Sequence, residues 1–271
     1  MRKYLPFILI LSLLFISCAG VPRQQISPEE EALLYPVESY IPEAFDWQEV
    51  CPGVSRYDFY SARHAGAGGF PLIYHAVRID LTLAGKDRPL HLTCARGMNT
   101  AIFAENENLT VAVNATPYDK TGALVGVHKE DGTMLSAPVA RYAAIAFAEG
   151  CARIFASQSL EELDEFPYAF GGFFTVLEGG EVRKDFVRRR DSRSGAGVSA
   201  DGRTLFILVV EGEHPQQSTG LSYPQCGEIF RAMGCSDALE FDGGGSADLC
   251  INKKSVLSYK VRRIVGNCFG F

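Results

Sequence analysis

Three adjacent glycines, Gly243-Gly244-Gly245, follow the apolar run Leu239-Glu240-Phe241-Asp242 and precede Ser246. Glycine gives up more backbone freedom on folding than any other residue, so a packed domain keeps such a triplet where the chain needs φ > 0 or close backbone approach. An acid that ends a strand just before this turn faces open space, and the N–H groups of residues 243–246 are placed to cup an anion. A glycine-rich turn capped by an Asx hydrogen bond fits the same pattern.

The residues before it specify how the chain arrives there. Ser222-Tyr223-Pro224-Gln225 has the S-x-x-Q form of a capping box with proline in the first turn, and Cys226, Ile229, Phe230 and Met233 recur at helical spacing. Gly234 supplies a C-terminal cap. The pattern predicts a helix over Tyr223–Met233 leading into a strand at 238–241, and Ser159-Leu160-Glu161-Glu162 predicts a second short helix.

Elsewhere the period is two. Ile73, His75, Val77, Ile79, Leu81 and Leu83 alternate with Tyr74, Arg78, Asp80 and Thr82, which predicts a half-buried strand with His75, like His91, as an ordinary sheet residue. Residues 109–113 form a short apolar run ending at Asn114-Ala115-Thr116-Pro117-Tyr118. Residues 195–200 and 203–210 flank Asp201-Gly202, a hairpin signal, and 205–210 is apolar enough to be a strand buried on both faces. Strands with a few interposed helices give an α+β class: a mixed, mainly antiparallel sheet core in a single domain.

The N-terminus reads as a targeting segment. Arg2 and Lys3 precede an apolar run of 14 residues, 4–17, which is shorter than the ~20 that span a bilayer. It ends at Phe15-Ile16-Ser17-Cys18, similar to a bacterial lipoprotein signal in which Cys18 is lipidated; cleavage with loss of Cys18 is the alternative. The expected organisation is a signal peptide at 1–17, a tether at 18–48 and a folded domain at 49–271. The product is an exported, membrane-anchored envelope lipoprotein.

Without residues 1–17 the net charge falls from −6 to −8. Arg188-Arg189-Arg190 is a single short basic run, so nucleic acid is not an expected partner. The eight cysteines contain no C-x-x-C pair and no nearby histidine pair, which gives no support to a metal site. Gly66-Ala67-Gly68-Gly69 precedes a strand instead of following one, so no dinucleotide cofactor is expected.

Three apolar runs end on polar residues, Asn114, Glu211 and Asp242. Taken singly these are a turn asparagine, a solvated glutamate and an Asx turn. Converging at one sheet edge they make a site, because a sheet holds side chains rigidly while loops wall them in. Arg193, just before a strand of small residues, is a candidate to grip a phosphate or carboxylate.

The order of these pieces resembles the phosphodiester glycosidase family over residues 57–271: Asn114-Ala115-Thr116-Pro117-Tyr118, Gly126, Arg193-Ser194-Gly195-Ala196-Gly197-Val198, Asp201-Gly202, Val210-Glu211-Gly212, Ser218-Thr219-Gly220-Leu221-Ser222 and Asp242-Gly243-Gly244-Gly245-Ser246. The resemblance implies hydrolysis of a sugar-1-phosphodiester, with an N-acetylglucosamine-type sugar, on an envelope or exogenous glycan. It implies Asp242 as base or nucleophile, Glu211 as second carboxylate, and Arg193 with the N–H groups of 243–246 as anion stabilisers. Asn114, Tyr118, Ser194, Gly212, Ser218, Gly220, Ser222, Arg263 and Asn267 are then substrate-binding. The chain departs from the family at Glu211-Gly212-Glu213, where an acid replaces an arginine. A surface lipoprotein that binds a glycan without cutting it is the alternative.

Overall fold

The computed structural model describes residues 27, 29–30, 36–61, 70–85, 89–186 and 189–271. The expected signal peptide, Cys18, Gly66-Ala67-Gly68-Gly69 and Arg188 lie outside the described residues.

Three sheets build the body. The largest has eight strands in the order Gln48–Cys51, Val54–Ser61, Leu72–Asp80, Thr204–Val210, Arg193–Val198, Asp237–Glu240, Thr175–Glu178 and Glu181–Val182. A second sheet orders Thr133–Ser136, His128–Glu130, Tyr168–Gly171, Ala144–Ala148 and Cys151–Phe155; a third orders Lys254–Ser255, Leu249–Ile251, Val111–Asn114, Val265–Gly270 and Thr93–Met98. The strand pairs are antiparallel, and an isolated bridge, Ala84 to Leu90, is parallel. The chain is α+β, as its sequence indicates.

The large sheet is covered on both sides, which explains the unbroken apolar run at 205–210. Leu205, Ile207 and Val209 face an inner core shared with the other two sheets, where Phe147, Phe170, Phe241, Phe269 and Phe271 meet. Phe206, Leu208 and Val210 face the helix Tyr223–Met233 through Phe230 and Ile229. That helix carries the capping box between Ser222 and Gln225, with Gly234 at φ 97° closing it, a pairing that contributes about 1 kcal/mol. Its approach needs glycine in the strand beneath: a Cβ on Gly197 would lie 2.6 Å from Cys235 Sγ and 2.8 Å from Phe230. The short helix at Leu160–Leu163 is present, and a further helix spans Thr100–Asn106, capped by Asn99.

Two expectations are corrected. The strand at 72–80 is half-buried only in its second part, because Tyr74, His75, Ala76 and Val77 are covered on both faces; Leu81–Leu83 leave the strand as a 3-10 turn. Four side chains of the stretch expected as tether, Tyr40, Ile41, Phe45 and Trp47, pack on the body. Tyr40 is buried, its carbonyl accepts a hydrogen bond from Tyr74 Oη at 3.0 Å, and Ile41, Phe45 and Trp47 lie against the helix-side core.

Candidate active site

The register of the large sheet decides which strand ends meet. Thr204–Val210 and Asp237–Glu240 both pair antiparallel with Arg193–Val198, so they run in the same direction and finish at the same edge. Glu211 continues one and Asp242 the other, on either side of Ser192, with backbones two strand spacings apart, roughly 10 Å. Gly244 N donates to Ser192 O at 3.0 Å and Asp242 N donates to Ala115 O at 2.9 Å, which ties this edge to the third sheet. A Cβ on Gly212 would lie 2.4 Å from Ser192 N, so the turn after Glu211 closes on the same residue from the other side.

Glu211 is 2% exposed and heavily hydrogen-bonded. Oε1 accepts from Ser258 N at 2.8 Å and from His75 Nε2 at 3.1 Å, and Oε2 accepts from the Ser258 hydroxyl. Burial pushes its pKa up, but these donors outweigh it and hold the carboxyl below its ordinary value. Asp242 is half-buried. Burial raises its pKa, while the Ser246 hydroxyl and the charge of Arg263 pull it back only in part. Arg263 is exposed, lies against Gly245 and donates to Ser246 Oγ at 3.4 Å.

The other expected residues fall into two groups. Asn114 is fully buried and braces the turn: Nδ2 donates to Asp242 O at 2.6 Å and Oδ1 accepts from Asp248 N at 3.1 Å. Asn267 is equally buried; Oδ1 accepts from Thr116 N at 2.7 Å and Nδ2 donates to Thr116 Oγ1 at 3.0 Å. Ser218 donates to Glu211 O, Ser222 caps the helix, and Gly220 bends at φ 72° against Asp191. Tyr118 Oη, part-exposed, donates to Ile264 O at 3.0 Å, in the segment that carries Arg263. Of the N–H groups of 243–246, that of Ser246 goes to Gly243 O and that of Gly244 to Ser192; the other two belong to Gly243 and Gly245. Ser194 Oγ, on the inner face, has no hydrogen-bond partner among the described residues.

Arg193 is turned away from this edge. Its pairing with Val210 puts it on the helix side, where Nε donates to Leu221 O at 2.9 Å, Nη2 donates to Arg189 O at 2.6 Å, and the guanidinium stacks 3.9 Å over the Tyr223 ring. The parity of the strand sets this, and a run of arginines in sequence carries no parity.

Four groups at the edge were not singled out in the sequence. His75, expected as an ordinary sheet residue, bridges Glu211 and Asp58, with Nδ1 2.7 Å from Asp58 Oδ1. Tyr259 Oη and Ser192 Oγ face each other without reaching hydrogen-bond geometry. Asp248, buried, accepts from Ser255 Oγ at 2.6 Å, and burial lifts its pKa to about 6. The glycine turn after Asp242 marks this neighbourhood in the sequence, but nothing in the spacing marks the partners.

Away from this edge, Cys94, His128 and Glu130 bring one donor each within 4.8 Å of one another. Asn267 argues against a prepared metal site. Thr116 N–H fixes its Oδ1, so Nδ2 faces His128 Nδ1 at 3.1 Å and the neutral ring carries its proton on Nε2, the nitrogen 3.6 Å from Cys94 Sγ. Burial lowers the His128 pKa to about 4.

Residues 107–271 match the family described as phosphodiester glycosidase. No curated protein matches the chain. Among solved structures, a hypothetical protein from Synechocystis superposes with TM-score 0.67 at 13% identity over 84% of this chain and 63% of that one. The catalytic domain of zebrafish N-acetylglucosamine-1-phosphodiester alpha-N-acetylglucosaminidase, auto-inhibited by its pro-peptide, superposes with TM-score 0.64 at 17% identity over 84% and 86%. A putative exported protein from Burkholderia pseudomallei gives 0.53 at 15% over 74% of each. This chain thus spans under two thirds of the Synechocystis protein, and at these identities the likeness is one of fold.

Proposed function

The chain belongs to the phosphodiester glycosidase family, and from that premise we propose that it hydrolyses a sugar-1-phosphodiester on an envelope or exogenous glycan, with an N-acetylglucosamine-type sugar at the reacting end. The observation that carries the reading is Asp242: a half-buried carboxyl with a raised pKa, beside the exposed guanidinium of Arg263, inside the matched region. A partly desolvated carboxylate with a raised pKa next to a cation suits water attack on an anionic substrate.

In this reading water adds to the anomeric carbon and gives its proton to Asp242. The bond from that carbon to the phosphate oxygen breaks, and a phosphate monoester leaves. The transition state is oxocarbenium-like, and Glu211 faces its positive charge as the second carboxylate. A departing phosphate needs little proton help, because its second pKa is about 6. Arg263 takes the anion-stabilising part for which Arg193 was a candidate, since the donors of Arg193 are engaged below the sheet. Tyr118 and Ser246 line the sugar side; Asn114, Asn267, Ser218, Ser222, Gly212, Gly220 and 243–245 shape the backbone around it. Ser194 and Ser192 offer hydroxyls from the inner face. We place the protein outside the cytoplasm, anchored through lipidated Cys18.

Glu213 favours a second reading. An acid replaces the family arginine and adds negative charge near Tyr259, which weakens a phosphate subsite. The alternative is a glycan-binding lipoprotein without turnover. A panel of sugar-1-phosphodiesters and simple glycosides, assayed for phosphate-monoester and reducing-sugar release, separates the two. Product from the phosphodiesters supports hydrolysis, and saturable binding with no product supports the alternative.

A further inference from the structure

His75 is 1% exposed, yet both ring nitrogens face carboxylates: Nδ1 meets Asp58 Oδ1 at 2.7 Å and Nε2 meets Glu211 Oε1 at 3.1 Å. A carboxylate oxygen accepts and does not donate, so a ring held between two ionised carboxyls keeps a proton on each nitrogen. Arg56, from the strand that carries Asp58, donates to Asp58 through Nε at 3.0 Å and through Nη2. Two cations and two carboxylates therefore balance, which makes burial of His75 tolerable. Asp58 and His75 lie outside the family-matched residues 107–271.

Both oxygens of Glu211 are occupied by His75 and Ser258, and its exposure is 2%. A carboxylate so bound does not move to bond carbon or to collect a proton; it contributes a fixed charge. We propose that Asp58 and His75 form a positioning pair that holds Glu211 as a permanently ionised, immobile carboxylate at the site, leaving the proton exchange of turnover to Asp242. This rests on the hydrolase reading given above. The pair also reaches further, since Ser258 on Glu211 starts the segment that carries Tyr259 and Arg263.

The directions of the pKa shifts agree. Burial lowers the pKa of His75, but its two carboxylates outweigh that and raise it, and those of Asp58 and Glu211 are lowered against burial. The groups facing the cluster are Arg56, Asp58 and Tyr60 from one strand, Glu211 from another, and Ser258 with Tyr259 from the C-terminal segment. Tyr60 packs edge-on at 6.0 Å from the ring.

Nitrogen and carbon NMR of the His75 ring in the wild-type folded chain tests the pair without any substrate. The expected result is a doubly protonated ring at pH 7.5 that becomes neutral there in Asp58→Asn. A wild-type ring that titrates at the ordinary histidine value overturns the proposal. Kinetics then test its consequence. In His75→Gln, kcat should fall about 10- to 100-fold with KM little changed, the scale of a displaced catalytic group. The acid limb of the pH profile should also move to higher pH as Glu211 loses its cation. A drop of equal size at all pH values means a merely structural histidine and overturns it. Absence of hydrolysis in the wild type sinks the hydrolase reading alone, because the ring titration still decides the pair.

Discussion

Glu211 and Glu240 sit near the same end of the large sheet, both almost wholly buried, and are in opposite states. Glu211 faces the inner side and accepts from His75 and Ser258. Glu240 faces the helix, its Oε2 has no hydrogen-bond partner among the described residues, and burial drives its pKa to about 8 despite the charge of Arg193. The same contrast holds for the cations. Arg193 is enclosed and satisfied by carbonyls, whereas Arg263 stands exposed over Asp242. Burial alone does not decide the charge of a carboxyl; the count of donors turned toward it does. At this end of the sheet the inner side supplies donors to its carboxylate, and the helix side does not.

The sharpest way to break this contrast is Arg193→Gln. If the helix side is structural, removing a buried cation whose donors serve the carbonyls of Leu221 and Arg189 costs about 1–3 kcal/mol, the penalty of leaving buried acceptors unsatisfied, read by urea unfolding. A stable variant with lost turnover would instead move Arg193 to the reaction. On the open side, Asp242→Asn should leave the unfolding midpoint in place and lower sugar-1-phosphodiester hydrolysis by at least ~100-fold. Turnover like that of the wild type would remove Asp242 from the chemistry. Arg263→Gln should raise KM by about 10-fold for a phosphodiester and shift stability by less than ~0.5 kcal/mol, the usual range for a surface change. An equal KM effect on uncharged glycosides would take the phosphate away from Arg263.

The mildest effect concerns Glu240. Its folded pKa is raised, so its favourable contribution is complete below its unfolded value and fades as pH rises toward about 8. Thermal midpoints measured from pH 5 to 9 should therefore decline less steeply in Glu240→Gln than in the wild type. Parallel curves would show that Glu240 is ionised at neutral pH after all.

Features that depend on neighbouring residues were legible in the sequence. The capping box at Ser222, the helix after it and the turn after Asp242 appear at the expected positions. So did the apolar run at 205–210, whose two buried faces follow from composition. Two kinds of feature were not legible. Asp58, His75 and Glu211 meet across 136 residues of sequence between the last two, and nothing local to His75 records that. The face taken by Arg193 was lost to strand parity, because a one-residue difference in register exchanges the two faces. Asn114 and Asn267 lie at the edge but use their amides to brace backbone. Their polar type predicted the place and not the task.

The contacts of Tyr40, Ile41, Phe45 and Trp47 with the body bear on the lipid anchoring proposed at Cys18. For a chain anchored at Cys18, the chain length from there to residue 36 sets an upper limit of roughly 60 Å on the separation. Fixing residues 36–47 through Tyr40, Ile41, Phe45 and Trp47 removes about 40 Å of reach that a free tether to residue 48 would have had. Under the proposed anchoring, a glycan is then accessible according to its height above the lipid.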